Sequence, residues 1–426
     1  MPVDRSKPLV PFVQFKIGDF DLTPVPPSVL QTFSHTRIMD AGNTFELTVF
    51  DRTALELGNR IAEGMYEVSF SYGWSGFSRS PLYTGMINDY EAVFQAGGAV
   101  LSIVGTTLAM KAHGQSHTRE FLNDNKVEGI RIHKIIEKIA EEEGWILGEI
   151  RPTAPVLCQD SLTSETPIQK IFRQEGEPST KFIKDKLVEY AMSEDTNESG
   201  YMLWFEDTRD GTVVNFAPPT YSKRPAREYI FEWNTPGSPV ISFTPRFSGV
   251  IQAVEGRVGR IRAVTVNDLS NDFFEDVYDQ DSNSDREVAG SKIYNATDYN
   301  TLISASSGSE TEIRARLARL YAQASSMSYT AELQLFGDTE LKTYTDLSVI
   351  ALTRDGIAHH TSGVYMVTQV VDTIEGARFT STCALIRNSS RTGEVESTGR
   401  EVTSPDENSG FDREVPSPGT GGGGVR

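Results

Sequence analysis

Thr44-Phe45-Glu46-Leu47-Thr48-Val49-Phe50-Asp51 is the stretch whose reading decides the fold. Its alternation puts Phe45, Leu47 and Val49 on one pleated face and Glu46 and Thr48 on the other, the pattern of a half-buried β-strand. The same plan continues to Gly105. Asp51 is placed to cap a short helix over residues 52–60, with Ala54, Leu55, Leu57 and Ile61 at helical spacing and Gly64 ending the excursion. A second strand is predicted from Met65 to Tyr72, followed by a loop rich in Gly and Ser over Gly73 to Pro81. Leu82 to Phe94 and Ala99 to Val104 complete the set, joined by Gln95-Ala96-Gly97-Gly98, whose glycines permit the positive φ angles of a hairpin turn. Thr44 to Gly105 therefore reads as a small closed β unit.

Upstream, Phe12 to Phe20 alternates as a strand, and Pro24, Pro26 and Pro27 then deny a sheet interior its donors. This predicts an edge strand and a loop leading into the β unit. Between His113 and about Thr220 helical periodicity takes over. Ile132, Ile135, Ile136, Ile139 and Ala140 form one stripe closed by Gly144, which predicts a helix ending in a left-handed cap. A second helix is expected over Thr180 to Met192 with Ser179 or Thr180 as N-cap, then a hairpin of Tyr201 to Phe205 and Thr212 to Phe216. Together these describe an inserted α/β domain.

Strand signals return at Tyr229 to Trp233 and Val240 to Phe243, with Pro236, Pro239 and Pro245 confining the pairing. Arg257 to Val266 could be one more strand, whereas Asn267 to Leu302 is polar and turn-rich, the composition of a surface loop. Ser309-Glu310-Thr311-Glu312 matches a capping box ahead of the stripe Ile313, Leu317, Leu320, Tyr321 and Ala324. Tyr329 to Leu335 and Ser348 to Leu352 are strands. Ser362 to Ile374 then leads through Gly376 into Arg378 to Ile386, in the element order of Leu82 to Val104. That order suggests a diverged internal duplication, although residue identity is low. From Asn388 to Arg426 apolar residues almost vanish and four glycines run together, so a disordered tail is expected.

The chain has 426 residues, 38% hydrophobic and 10% aromatic, enough for several cores. Its 35 glycines and 20 prolines favour many turns, hence a β-dominated α+β fold. A formal charge of −19 argues against a protein that grips nucleic acid through phosphate contacts. Cys158 and Cys383 fall in different expected domains, so no disulfide framework is predicted. No apolar run approaches the roughly 20 residues of a membrane span and no signal-peptide core opens the chain, so a soluble, unsecreted protein is expected.

Chemistry-bearing motifs are sparse. His113 and His117 stand four apart but flank Gly114, and a solvated junction is the plainer reading than zinc; His359-His360 sits between strands. Asp279, Asp281, Asn283 and Asp285 alternate like the start of a calcium loop, but Ser284 and Gly290 stand where its glycine and closing Glu belong. An acidic loop is the default there, and no cofactor is expected. No nucleophile elbow or phosphate-binding glycine loop is present, but a carboxylate pair brought together only by folding leaves no spacing in the sequence, so a tail-associated or secreted hydrolase acting on cell-wall polymer stays the alternative reading, with a carbohydrate-binding β-sandwich third. Trp74, Trp145, Trp204 and Trp233 lie in strands or at element ends, where packing is their usual role.

The combination resembles the baseplate hub proteins of contractile phage tails and related injection machines. Its carriers are Phe45 to Asp51, Tyr72-Gly73-Trp74, Leu82-Tyr83-Thr84-Gly85, the Ile132 to Gly144 helix, Phe336-Gly337-Asp338 and Ser362 to Val367. The resemblance implies two tube-like antiparallel β-barrel domains with α/β insertions. Residues 1–112 would be the first barrel, 113–224 the inserted α/β domain, 225–252 with 327–390 the second barrel, 253–326 a second insertion and 391–426 the tail. Phe45, Leu47, Val49, Tyr83, Tyr365 and Val367 become core or interface residues of the repeated barrels. It further implies a non-enzymatic homotrimer in the virion, assembled in the host bacterial cytoplasm. Its partners would be a tail tube protein, a central spike and surrounding wedge or sheath proteins, with DNA only passing through. Two departures are visible: no peptidoglycan hydrolase or LysM-like segment is appended, and Asn267 to Leu302 is longer and more acidic than the family needs.

Overall fold

The structure, a computed structural model, describes residues 10–22, 29–39, 42–51, 61–62, 64, 66–96, 98–107, 116–122, 129–156, 171–193, 201–208, 211–218, 226–231, 238–247, 260–266, 273–279, 299–303, 329–353, 358–359 and 361–387. The chain opens with β1 (Pro11–Ile17), β2 (Phe20–Asp21), β3 (Leu30–Ile38), β4 (Thr44–Asp51), β5 (Glu67–Trp74), β6 (Ser78–Arg79), β7 (Tyr83–Gln95) and β8 (Gly98–Thr107). Next come β9 (Ser116–Phe121), β10 (Ile130–Arg131), α1 (Ile132–Glu143), β11 (Ile146–Ile150), β12 (Pro155–Val156), β13 (Phe172–Pro178), α2 (Ser179–Phe182), β14 (Met202–Thr208) and β15 (Gly211–Ala217). The last part holds β16 (Arg227–Phe231), β17 (Val240–Phe247), β18 (Arg260–Val266), β19 (Phe273–Asp279), β20 (Tyr299–Ile303), β21 (Tyr329–Phe336), β22 (Asp346–Ala351), β23 (Gly363–Glu375) and β24 (Arg378–Arg387).

The fold is β-dominated. One curled 14-stranded sheet runs β17-β21-β24-β23-β3-β4-β8-β7-β5-β1-β2, with β22 and β16 branching from β23 and β6 from β5. Its curl encloses two cores. Phe15, Phe33, Phe45, Phe70 and Tyr72 fill the first, and Leu333, Leu347, Tyr365, Val367 and Leu385 the second. A third core, between the other two in sequence, packs α1 and α2 against the β14–β15 hairpin. In α1 the apolar stripe is buried and Gly144 closes it at φ 71°, a left-handed position that glycine adopts without a Cβ penalty.

Strand register turns the duplication suggested by element order into residue correspondence. β7 and β23 are both 13 residues long, and β8 and β24 both 10. Each hairpin slips register at the same place, between Ile87 and Asp89 in one and between Val367 and Gln369 in the other. β4 lies beside β8 as β21 lies beside β24, so Thr44, Glu46, Leu47 and Phe50 correspond to Thr330, Glu332, Leu333 and Phe336. β5 on β7 matches β22 on β23, and β3 on β4 matches β17 on β21, each of the latter pairs shifted after its first partner. Even a flanking hydrogen bond recurs: the Phe50 N–H donates to Val29 O at 2.7 Å, and the Phe336 N–H to Pro239 O at 2.9 Å. A bulge is a local disruption that must be specified, so two matched register shifts within matched pairings argue for one ancestral unit.

The two cores are filled differently at matched sites. Phe45 lies opposite Gly105 across β4 and β8, and Ala331 lies opposite Leu385 across β21 and β24. A Cβ built on Gly105 would overlap both the Phe45 ring and the Met86 carbonyl oxygen, so the missing side chain admits the ring and the close approach of β7. Gly85, on β7, also touches that ring's space, and its counterpart Tyr365 supplies the second core with an aromatic instead. Large and small have changed places between strands while each core stays filled.

Several sequence expectations need correction. Leu30 to Ile38 is no loop: it is β3, the strand that joins the two halves by pairing with both β4 and β23. The helix expected over Thr180 to Met192 keeps α geometry only through Phe182, widens to a π turn over Ile183–Leu187 and tightens to a 3-10 turn over Val188–Tyr190. The widened turn holds Phe182, Ile183 and Leu187 on one buried side. Neither Ser179 nor Thr180 caps it; Pro178 is the N-cap and Ser179 donates to Glu143 Oε1 at 2.6 Å. Asn267 to Leu302 contains β19 and β20, which flank β18 in a separate three-stranded sheet, β20 in parallel. β19 folds back on β18 as a hairpin, and only β20 pairs at a distance, so polar composition rather than remote pairing hid β19. The expected helices over 52–60 and from Ser309, and the tail from Asn388, lie outside the described residues apart from two helical residues at 61–62.

Candidate functional site

The chemistry concentrates where β3 meets β23. Val370 pairs with Arg37 and Asp372 with His35, which carries two titratable groups of β3 into the seam between the cores. Arg37 donates through Nη2 to Asp372 Oδ2 at 2.5 Å and through Nη1 to Leu341 O at 2.6 Å. The carboxylate also accepts from the Tyr72 hydroxyl at 2.6 Å and from Ser381 Oγ at 2.5 Å. Because the Tyr72 proton is committed to Asp372, its oxygen accepts from His35 Nδ1 at 3.0 Å. Burial pushes the Asp372 carboxyl up, against the pull of Arg37, Ser381 and Tyr72. Burial alone would lower Arg37, and its neighbours Tyr72 and Asp372 more than reverse that, so the guanidinium stays charged. The network is a buried structural ion pair whose carboxylate is met by three donors, the condition under which such a pair is tolerated, although Arg37 Nε is buried without a partner.

His35 makes this seam sensitive to pH. Burial, then the Arg37 charge, lowers its pKa well below the ordinary 6.5, and its Nε2 is buried with no hydrogen-bond partner. The folded chain therefore holds His35 neutral while the unfolded chain takes a proton below about pH 6.5. Stability from this group is complete above that pH and is lost as pH falls, at up to ~1.4 kcal/mol per pH unit. Melting temperatures between about pH 7.5 and 5 should fall less steeply for His35→Gln than for the parent chain. Identical slopes would remove His35 from the account.

Other contacts tie the middle core to the sheet. Asp207 accepts from Asn43 Nδ2 at 2.6 Å and from Thr107 Oγ1 at 2.5 Å, fastening β14 to the first half. Tyr344, at φ 60°, stacks on Trp204 with ring centroids 3.5 Å apart and donates to Pro218 O at 2.6 Å, fastening β14–β15 to the second half. A bulky residue at positive φ is strained, and the stack is what holds it. Trp74 Nε1 donates to Gly337 O at 2.8 Å across the seam.

The residues singled out in sequence divide clearly. Phe45, Leu47, Val49 and Tyr83 are buried in the first core or at its seam, and Tyr365 and Val367 in the second. They line no common cleft. Asp279 ends β19, and Asp281, Asn283 and Asp285 lie outside the described residues, as do His113 and His360. His117 faces Glu143 Oε1 at 3.0 Å, beside Arg119. Among the described residues no three His, Cys, Asp or Glu side chains come together as a metal site would require. Burial pushes the Cys383 thiol up to about 12, which leaves it without a reactive thiolate. Sequence reasoning missed His35, Arg37 and Asp372, whose partnership spans more than 330 positions.

This fold, a curled sheet holding a duplicated β unit with an α/β segment between the copies, is similar to that of solved tail proteins. A tail protein from Neisseria meningitidis MC58 matches 91% of this chain and 99% of its own at 13% identity and a TM-score of 0.55. The 43 kDa tail protein of prophage MuSo2 from Shewanella oneidensis matches 89% of this chain and 99% of its own at 12% identity and a TM-score of 0.56. The Francisella PdpA-VgrG complex contains a chain of which 54% is matched by 91% of this one, at 9% identity and a TM-score of 0.50. No protein-family model matches the sequence, and no curated protein sequence does either. No helix among the described residues is long and apolar enough to cross a membrane.

Proposed function

We propose that this chain is the structural hub of a contractile tail baseplate. Three copies would make a ring of six related barrels, joining a hexameric tail tube to a trimeric central spike and forming part of the DNA channel. The observation that carries this reading is the duplication at strand register: one chain contributing two equivalent units lets a threefold assembly present six similar positions. The division into barrels at 1–112 and 225–252 with 327–390, around insertions at 113–224 and 253–326, follows from the same reading. A net charge of −19 suits a channel wall that must not hold a polyanion. Wedge or sheath proteins would surround the ring, in a virion tail assembled in the host bacterial cytoplasm. The role in this reading is non-enzymatic, as a scaffold that joins tube to spike.

Light scattering of the full chain, end-on electron micrographs of any oligomer, and a peptidoglycan turbidity assay test the reading together. A trimer with threefold symmetry on one face and near-sixfold symmetry on the other is the expected result. A stable monomer that clears peptidoglycan would sink it in favour of the hydrolase alternative.

A further inference from the structure

The duplication makes the seam a template. In the second copy of the unit, Gln369 to Glu375 of β23 extend beyond β22 and pair with β3 from Ile38 to Thr32. The matching segment of the first copy is Asp89 to Gln95 of β7, which extends in the same way beyond β5. Among the described residues it has no strand on that edge. The strand matching β3 is β17, which among the described residues pairs with β21 alone and ends the sheet. Among the described residues, one chain thus has one seam made and the two halves of an equivalent seam unpaired.

Exposure tracks this difference. Val370 and Ile374 are both 0% exposed under β3, whereas their counterparts Tyr90 and Phe94 are 39% and 71% exposed, and Val93 between them is 51% exposed. Long apolar edges of this kind are a liability unless something covers them. We infer that β7 of one copy pairs antiparallel with β17 of a second copy, in the register that β23 and β3 adopt within the chain.

That register sets Phe94 opposite Phe243, Ala92 opposite Pro245, Val93 opposite Thr244 and Glu91 opposite Arg246. The outward pair Glu91 and Arg246 is exposed and opposite in sign, a cross-strand complementarity. The inward positions that hold Asp372 and His35 inside the chain become Ala92 and Pro245, so the seam between copies is apolar where the internal one is ionic. Pro245 supplies no N–H, which shortens the ladder by one donor and makes this the weaker of the two seams. The contact is head to tail, so it closes only as a ring. The inference rests on the hub reading only for the number of copies in that ring.

The test uses the full chain carrying Val93→Cys with Thr244→Cys, both exposed positions that leave the cores intact. Mild oxidation should give covalent oligomers on a non-reducing gel. The diagonal control, Val93→Cys with Ser242→Cys, keeps the Glu91–Arg246 pair and should not, since a disulfide needs Cα atoms within about 7 Å. In a second measurement, Glu91→Arg or Arg246→Glu alone should cut the cross-linked yield of the Val93→Cys, Thr244→Cys or neighbouring pair by roughly tenfold, and the exchange of both charges should restore it. Oligomers seen by light scattering but no cross-link, or equal cross-linking in the diagonal control, would overturn the register and leave the hub reading standing. Monomer by both methods would overturn the two together.

Discussion

Asp372→Ala is expected to lower the melting temperature by on the order of 10 °C, the counterpart of roughly 3–5 kcal/mol. Removing the carboxylate leaves the Arg37 guanidinium buried without its anion, and it strands the Tyr72 hydroxyl and Ser381 Oγ that donated to the same group. The loss is therefore the cost of orphaned donors in a dry seam rather than the worth of one attractive pair. A discriminating companion is the double variant Arg37→Met with Asp372→Leu, which removes the charge along with its partner and should be more stable than Asp372→Ala alone. Thermal melts of the three chains at pH above about 7, where His35 is neutral in both states, decide the matter. An unchanged melting temperature for Asp372→Ala would mean that the seam is solvated.

Phe45→Ala should cost about 3–5 kcal/mol by opening a cavity beside Gly105, and Gly105→Leu should cost about 1–3 kcal/mol or more by forcing a side chain into the Phe45 ring and against the Met86 carbonyl oxygen. Made together, the two changes install the pair that the second core already uses, Ala331 opposite Leu385. The double variant should then fall short of the summed loss by about 1–3 kcal/mol, because the leucine occupies part of the space the ring vacates. Strict additivity in denaturant melts would show that the two sites do not share one space, and the matched filling of the cores would lose its support.

What could be read from sequence follows the locality of each signal. Thr44 to Asp51 and Ile132 to Gly144 were legible because their apolar residues keep one period and their ends carry turn or cap residues. β3 escaped notice because its inward positions are Leu30, Phe33, His35 and Arg37, and the last two look solvent-facing until β23 supplies Asp372 and Tyr72 comes within reach. β9, with only Phe121 buried along Ser116–Phe121, shows no apolar alternation that would mark it as a strand. The Thr-x-Glu-Leu-x-x-Phe likeness of β4 and β21 is present in the sequence, yet unequal intervening segments conceal it until strand pairing supplies the alignment. The candidate site was illegible for a plainer cause: ion pairs between distant strands leave no spacing in the chain that makes them.

The exchange of Phe45 and Gly105 for Ala331 and Leu385 also bears on inheritance. Two related segments in one gene invite recombination that would homogenise them. A crossover transferring β4 without β8 would set Ala331 against Gly105 and hollow the first core; the reciprocal product would crowd Phe45 against Leu385 in the second. Either chain would be selected against, so each paired substitution acts as a barrier to gene conversion. Compensated drift of this kind makes a duplication irreversible, and it lets the two halves diverge further while their backbone stays the same.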